Sequence, residues 1–330
     1  MGLTVERVQA VAVEGEWREL LARCDPAYPF LSPAWHRVWW EEFADSSREA
    51  LILRVRDGET TRAVAPLMRD GDRLTFAGDT SICDYMDLVS ADPSIPARRA
   101  VLESLLRALG EERWSELVLW ALRGDSPTFE ALQSVCGELG LTCETEVEDV
   151  CPQLDLPGDW EEYLAGLGKK DRHELRRKLR KLSQGGEPEL EVLTTPDEVT
   201  AAMDDFVRQH KTSRADKETF MTPKMEGFFR RVVPVLAAEG AVEMIFLRLG
   251  GVRAACVLCF RTDSELLLYN SGYEKQYAQL SVGLLSKALT LKRAIDLGLK
   301  RFDFLRGREH YKYDLGAKDV PVYRCVIRRS

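Results

Sequence analysis

No uninterrupted apolar run anywhere in the 330 residues reaches the roughly eighteen that a membrane-crossing helix needs. The nearest approach, VEMIFLRLGGVRAACVLCF, is broken by Arg248, Arg253 and two glycines. The first residues, MGLTVERVQA, lack the basic stretch and apolar run of a signal peptide. Glu6 stands where a myristoylation signal needs Ser or Thr. Excess positive charge is missing as well. The net charge is −8, so the surface as a whole is not built to attract nucleic acid or an anionic membrane, and such binding needs a local patch. Histidine is scarce, four in all, and His173, His210 and His310 stand at no metal-ligand spacing, so no metal is expected. The eight cysteines form no framework. Cys256 and Cys259 make a C-x-x-C inside AACVLCF, but a strand there points the two thiols to opposite faces, as small buried hydrophobes. Free thiols suit a reducing compartment, and a cytoplasmic location is expected.

What is present suffices for two domains. The chain is 45% hydrophobic and 30% charged, and it reads twice. LILRVRDGETTRAVAPLMRDGDRLTFAG, from Leu51, and IFLRLGGVRAACVLCFRTDSELLLYNSG, from Ile245, are each three strand-like runs joined by Gly- and Asp-rich turns. That pattern is an antiparallel meander. Upstream, SPAWHRVWWEEFA matches TPKMEGFFRRVVP, each with a Ser or Thr cap, Pro at the first helical position and aromatics at helical spacing. Trp35, Trp39 and Trp40 read as core packing. Downstream, each copy has an amphipathic helix, a short turn and a strand closing on Arg-Gly. The expected fold is mixed α/β with mostly antiparallel sheets, in the order β-α-α-β-β-β-α-β-α-β written twice. Residues 1–155 form the first domain and 188–330 the second. Residues 156–187 form a helical connector, with Asp159 capping one helix and a basic helix from Lys169 to Ser183 stopped at Gly185-Gly186.

The copies differ where the third meander strand hands over to the long helix. In the second copy the junction reads YNSGYEKQYAQLSVGLLSKAL: Gly272 ends the strand and Ser281-Val282-Gly283 opens the helix. A Ser cap with Gly in the first turn lets backbone N–H groups approach an anion such as a pyrophosphate. In the first copy the same place reads GDTSICDYMDLVSADPSIPARRA, with Asp79, Asp84, Asp87 and Asp92, and acids there repel phosphate.

The order of elements and this junction resemble the GNAT acyltransferase fold. Residues 269–316, SGYEKQYAQLSVGLL followed by a helix and RFDFLRGREHYK, are similar to the double-GNAT group of CelD-like acetyltransferases and FemABX peptidyltransferases. FLSPAWHRVWW, FAGDTSICDYMDL and GKKDRHELRRKLRKL add weaker likeness. The resemblance implies tandem GNAT-like domains, the first with a degenerate cofactor site. It also implies acyl transfer to an amine, and a site in the second domain facing the first, where two strands splay apart. The usual longer Gly-rich loop is shortened here to Ser281-Val282-Gly283, and Lys312 replaces a common Tyr.

On that basis acyl-CoA, in the simplest case acetyl-CoA, is the expected co-substrate. It would be held by Ser271, Gly272, Tyr273, Leu280, Ser281, Val282, Gly283 and Leu284. Asp303 lies between two phenylalanines in the strand RFDF and would orient or deprotonate the amine, or else anchor the turn behind it. Tyr311 would protonate the leaving group, and Lys312 or Arg306 would steady negative charge. His310 adjoins this group. Asp84, Tyr85, Asp87 and Asn270 would line the acceptor side, for an amino sugar, an amino acid or a peptide amine of an envelope precursor. Two other readings stay open. One is FemABX-like transfer from aminoacyl-tRNA, to which the basic helix, with eight cations against two acids between Lys169 and Lys181, would contribute. The other is a non-catalytic partner protein.

Overall fold

A computed structural model describes residues 2–184 and 187–329, and the Gly185-Gly186 stop lies outside the described residues. The chain forms two compact units, one of residues 1–150 with 320–330 and one of residues 151–319.

The first unit follows the expected order: β1 (Thr4–Val8), α1 (Ala10–Leu21), α2 (Pro33–Phe43), β2 (Arg48–Asp57), β3 (Thr60–Asp70), β4 (Arg73–Phe76), α3 (Ile95–Gly110), β5 (Glu116–Arg123), α4 (Pro127–Glu138) and β6 (Leu141–Asp155), whose last residues enter the second unit. Ser32 starts α2 as its spelling requires, its hydroxyl accepting from Trp35 N at 3.1 Å beside Pro33. Trp35 and Trp39 are fully buried, as packing residues.

The second unit holds α5 (Trp160–Gly166), α6 (Lys169–Gln184), β7 (Pro188–Leu193), α7 (Pro196–Ser213), a short α8 (Ala215–Phe220) that the sequence pattern did not foresee, α9 (Pro223–Ala238), β8 (Val242–Leu249), β9 (Val252–Arg261), β10 (Glu265–Tyr273), α10 (Val282–Asp296), β11 (Arg301–Asp303) and α11 (His310–Asp314); β12 (Lys318–Arg329) then leaves it. Thr195 opens α7 with a full capping box to Glu198, and Thr222 opens α9 by accepting from Met225 N. The two-residue turn between β8 and β9 is Gly250-Gly251, both at positive φ, which a hairpin of this kind demands. The sheet runs β11-β10-β9-β8-β7, antiparallel except where β10 meets β11. Alternation sorts its faces. Ala255, Val257 and Cys259 of β9 pack with α10, while Phe260 stacks on Tyr269 beneath Phe229 of α9. Cys256 and Cys259, both fully buried, therefore point apart.

Two boundaries differ from the sequence reading. The last strand was expected in the second domain. Instead β12 pairs antiparallel with β5 from Val322–Arg123 to Arg328–Glu116, and the first unit's strands run β1-β2-β3-β4-β5-β12-β6. Buried Val322, Cys325 and Ile327 mark a strand in the sequence, but hydrophobic alternation names no partner strand. Residues 156–184, expected as a connector between domains, belong to the second unit. Tyr163, Leu164, Leu167, Leu175 and Leu182 lie in the core of the second unit with Leu285, Leu291 and Phe302. Tyr163 also donates its hydroxyl to Leu315 O at 3.0 Å. A leucine buried as completely as Leu182 contributes about 2 kcal/mol, so the stripe of α6 has to find a core.

Candidate functional site

The geometry of interest lies within the second unit, where β10 and β11 part. They pair in parallel for three residues only, Glu265–Leu267 with Arg301–Asp303. Past Leu267 a bulge between Leu268 and Asn270 turns β10, which continues to Tyr273. Past Asp303 the segment stays with β6, with which β11 pairs from Arg301–Asp155 to Asp303–Gln153, Phe304 N donating to Pro152 O at 2.9 Å. Leu305 then adopts φ 55°, a left-handed backbone that a leucine holds only under constraint.

Asp303 supplies that constraint. It is fully buried, and its carboxylate accepts from Leu305 N at 2.7 Å and from Gln153 Nε2 at 2.8 Å. Lys312 completes the turn from the other side. Its buried ammonium donates to Leu305 O, Arg306 O and Gly307 O at 2.9, 2.8 and 3.0 Å and pairs with Glu309 at 2.9 Å. All three of its protons are thereby engaged by the loop. Asp303, Arg306 and Lys312 thus come together around one peptide turn. Two of them hold that turn in shape, Asp303 and Lys312, while Arg306 contributes its carbonyl. Tyr311 is next to it, its ring at an edge to Phe304 with centroids 6.3 Å apart, and burial pushes its hydroxyl up, so it keeps its proton at neutral pH. His310 is exposed and pairs with Asp314.

The helix mouth keeps part of its expected character. Ser281 is the residue before α10, but it sits in the left-handed region at φ 57° and its side chain caps nothing. The N–H groups of Val282 and Gly283 meet no acceptor among the described residues, whereas those of Leu284 and Leu285 return to Ser281 O. Gly283 is needed for packing: a Cβ there would stand 2.8 Å from the ring of Tyr273. Gly272 is tighter still, since its Cβ would lie 2.4 Å from the backbone of Gln209 and His210 in α7. Val282 is buried, and Leu280, Leu284 and Tyr273 are half-buried against the core. From α6, Lys181 donates to Gln279 O at 2.8 Å, tying the basic helix to the loop before α10.

Of the acceptor residues, Asn270 takes part in this site, its Oδ1 2.9 Å from His210 Nε2. Burial drives His210 down to about 4. Asp84, Tyr85 and Asp87 belong to the first unit. Tyr85 is buried against Tyr28 and under Arg123. Asp87 accepts from Ser126 Oγ, Thr128 Oγ1 and Leu88 N and stands 3.5 Å from Arg98. Asp84 is half-buried.

Two lysines went unnoticed in the sequence. Lys217, on α8, reaches Ser271 of β10 just beyond the bulge, donating to its carbonyl at 2.5 Å and its hydroxyl at 3.2 Å. A strand carbonyl whose neighbour has left needs such a donor. Lys287, on α10, is 8% exposed, donates to Gly283 O at 2.5 Å and lies 4.8 Å above the ring of Tyr311. Burial first, then the charge of Lys217, bring it down to about 7. Lys287 carried a faint signal, because it shares a helical face with Leu291 and Ala294. Lys217 carried none.

Residues 169–313 match the family described as an acetyltransferase (GNAT) domain. The GNAT domain model thus spans most of the second unit. The match runs from α6 to α11, so β10, β11 and α10, which form the strand gap and the helix mouth, lie within the matched residues. Among solved structures the chain resembles FemX, at 11% identity, TM-score 0.65, and 97% of this chain on 96% of that one. A conserved protein of unknown function from Bacteroides thetaiotaomicron matches at 11% identity, TM-score 0.63, and 98% on 99%. The DUF2156 C-terminal domain of a putative lysylphosphatidylglycerol synthetase from Agrobacterium fabrum matches at 12% identity, TM-score 0.61, and 96% on 92%. At such identities the likeness is one of fold. No curated protein matches the chain.

Proposed function

We propose that the protein is an N-acyltransferase whose GNAT domain moves an acyl group from a carrier to an amine. One observation carries this reading. The matched domain has a strand divergence, fixed by Asp303 and Lys312, beside a helix start whose first two N–H groups have no acceptor among the described residues. Such a start suits the phosphates of a carrier, and the gap between strands admits its acyl arm.

In the reaction the amine nitrogen bonds to the acyl carbon and the bond to sulfur or ester oxygen breaks. The amine loses one proton and the leaving group takes one up. Tyr311, protonated at neutral pH, gives its proton to the leaving group and recovers one from the amine, directly or through solvent. Asp303 acts through the turn it anchors. Acyl-CoA is the first carrier to test. Aminoacyl-tRNA is the second, because α6 sets a strongly basic face beside the loop before α10 and is tied to it by Lys181. The acceptor is a small-molecule, sugar or peptide amine. All eight cysteines are free, which fits a cytoplasmic enzyme.

A thermal-shift series with acetyl-CoA, longer acyl-CoAs and charged tRNA tests the proposal. A carrier at a hundred times its Kd should add roughly 2.7 kcal/mol of stability. Salt-insensitive stabilisation by a CoA ester selects the first carrier, and RNA affinity falling steeply with salt selects the second. No shift with any of them would leave a non-catalytic protein.

A further inference from the structure

Lys217 and Lys287 approach the strand gap from opposite faces of the sheet, α8 lying with Phe229 and α10 with Val257, and neither makes an ion pair among the described residues. Each ammonium offers three protons. Lys217 spends two on Ser271, and Lys287 spends one on Gly283 O. That leaves one N–H on Lys217 and two on Lys287, at a place where β10 has lost its neighbour and water is largely excluded. Two ammonium groups that feel each other's charge in poor solvent, with no ion pair of their own, repel each other, and the cost is relieved when one loses its proton or an anion arrives.

We propose that Lys217 and Lys287 form a binding site for a small oxyanion, a carboxylate or phosphate group carried by one of the substrates. The proposal rests on the acyltransferase reading only in assigning the anion to a substrate. The surrounding charges support it. Cys256, whose thiol feels both lysines, is pushed by burial up to about 12 and stays neutral. Tyr311 keeps its proton, since burial raises it. Glu309 is held low by Lys312, although burial opposes this, and its charge already serves that lysine. Asp216 on α8 is likewise held low and is paired with Arg214. Near neutral pH the groups left to change charge are Lys287, brought to about 7, and Lys217, lowered by burial. An arriving anion therefore pulls a proton onto the pair.

N-acetylglycine and inorganic phosphate are suitable probes, titrated calorimetrically into the whole protein without any acyl carrier. N-acetylglycine stays ionised throughout, so its affinity should fall about twenty-five-fold between about pH 6.5 and 8.5, following the protonated fraction of a lysine near 7. Near the upper pH the binding heat should depend on the buffer, reporting close to one proton taken up. The tighter of the two probes names carboxylate or phosphate as the natural group. Lys287→Met should abolish binding and proton uptake, and Lys217→Met should weaken binding at least tenfold. Should Lys287→Met fail to fold, the wild-type protein with 13Cε-labelled lysine decides, because saturating probe should raise the Lys287 titration midpoint. Equal binding to both variants, no binding by either probe, or an unmoved midpoint overturns the proposal. Probe binding without any response to CoA esters or tRNA would leave this site standing and refute the carrier reading instead.

Discussion

Replacing Gly272 by Ala separates a glycine kept for packing from one kept for a ligand. The added methyl would sit 2.4 Å from Gln209 C and His210 N and 2.6 Å from Gln209 O. These are backbone atoms of a buried helix, so no side chain can rotate away. Ordinary contact begins near 3.4 Å, and α7 would have to retreat by about 1 Å along the face where it meets β10. Overpacking of this kind costs typically 1–3 kcal/mol, and with helix backbone as the obstacle we expect about 3. For a urea slope of about 2 kcal/mol per molar, the unfolding midpoint should fall by roughly 1.5 M. Far-UV circular dichroism in a urea titration measures this. The companion Gly283→Ala meets only the ring edge of Tyr273 at 2.8 Å, which can tilt, so its cost should be about 1 kcal/mol. A Gly272→Ala protein with an unchanged midpoint, or one more stable than Gly283→Ala, would refute the reasoning.

Lys312→Met strands three carbonyls and Glu309 around a buried methyl group, and should cost about 3–5 kcal/mol in a thermal or urea melt. Lys312→Arg should not restore it, because a planar guanidinium cannot point at all three carbonyls. Asp303→Asn keeps the shape but turns an amide toward one of two donors. A loss of about 2 kcal/mol is expected, and turnover should fall with stability; wild-type stability with at least tenfold slower turnover would instead give Asp303 a direct chemical role. Acid should weaken the fold before any carboxylate titrates. Burial holds His210 at about 4 and His36 at about 3, below the usual value near 6.5, so the unfolded chain binds more protons and stability is lost as pH falls from about 6.5. Between pH 7 and 5 each histidine should remove about 2 kcal/mol, and His210→Gln should flatten its share of the slope in urea midpoints.

The order of elements was written in the sequence, because strand alternation, helix caps and Gly turns are local. Ser32, Thr195 and Thr222 start their helices as spelled, and the meander from Val242 to Tyr273 forms where its turns required. Asp303, Arg306, Tyr311 and Lys312 were also legible as a group, since they lie within ten residues and converge on one turn. What the side chains do there was not legible. Whether Asp303 faces a substrate or a peptide N–H depends on a left-handed Leu305 that no local preference predicts. The leucine stripe of α6 was legible, but the core it joins and the destination of β12 are choices among cores and sheet edges, which apolar patterning leaves equal in the chain. Lys217 and Lys287 are seventy positions apart in sequence, and only the loss of pairing between β10 and β11 brings their charges to one gap. Local chemistry fixed the elements, and long-range packing decided which of their polar groups were left without partners.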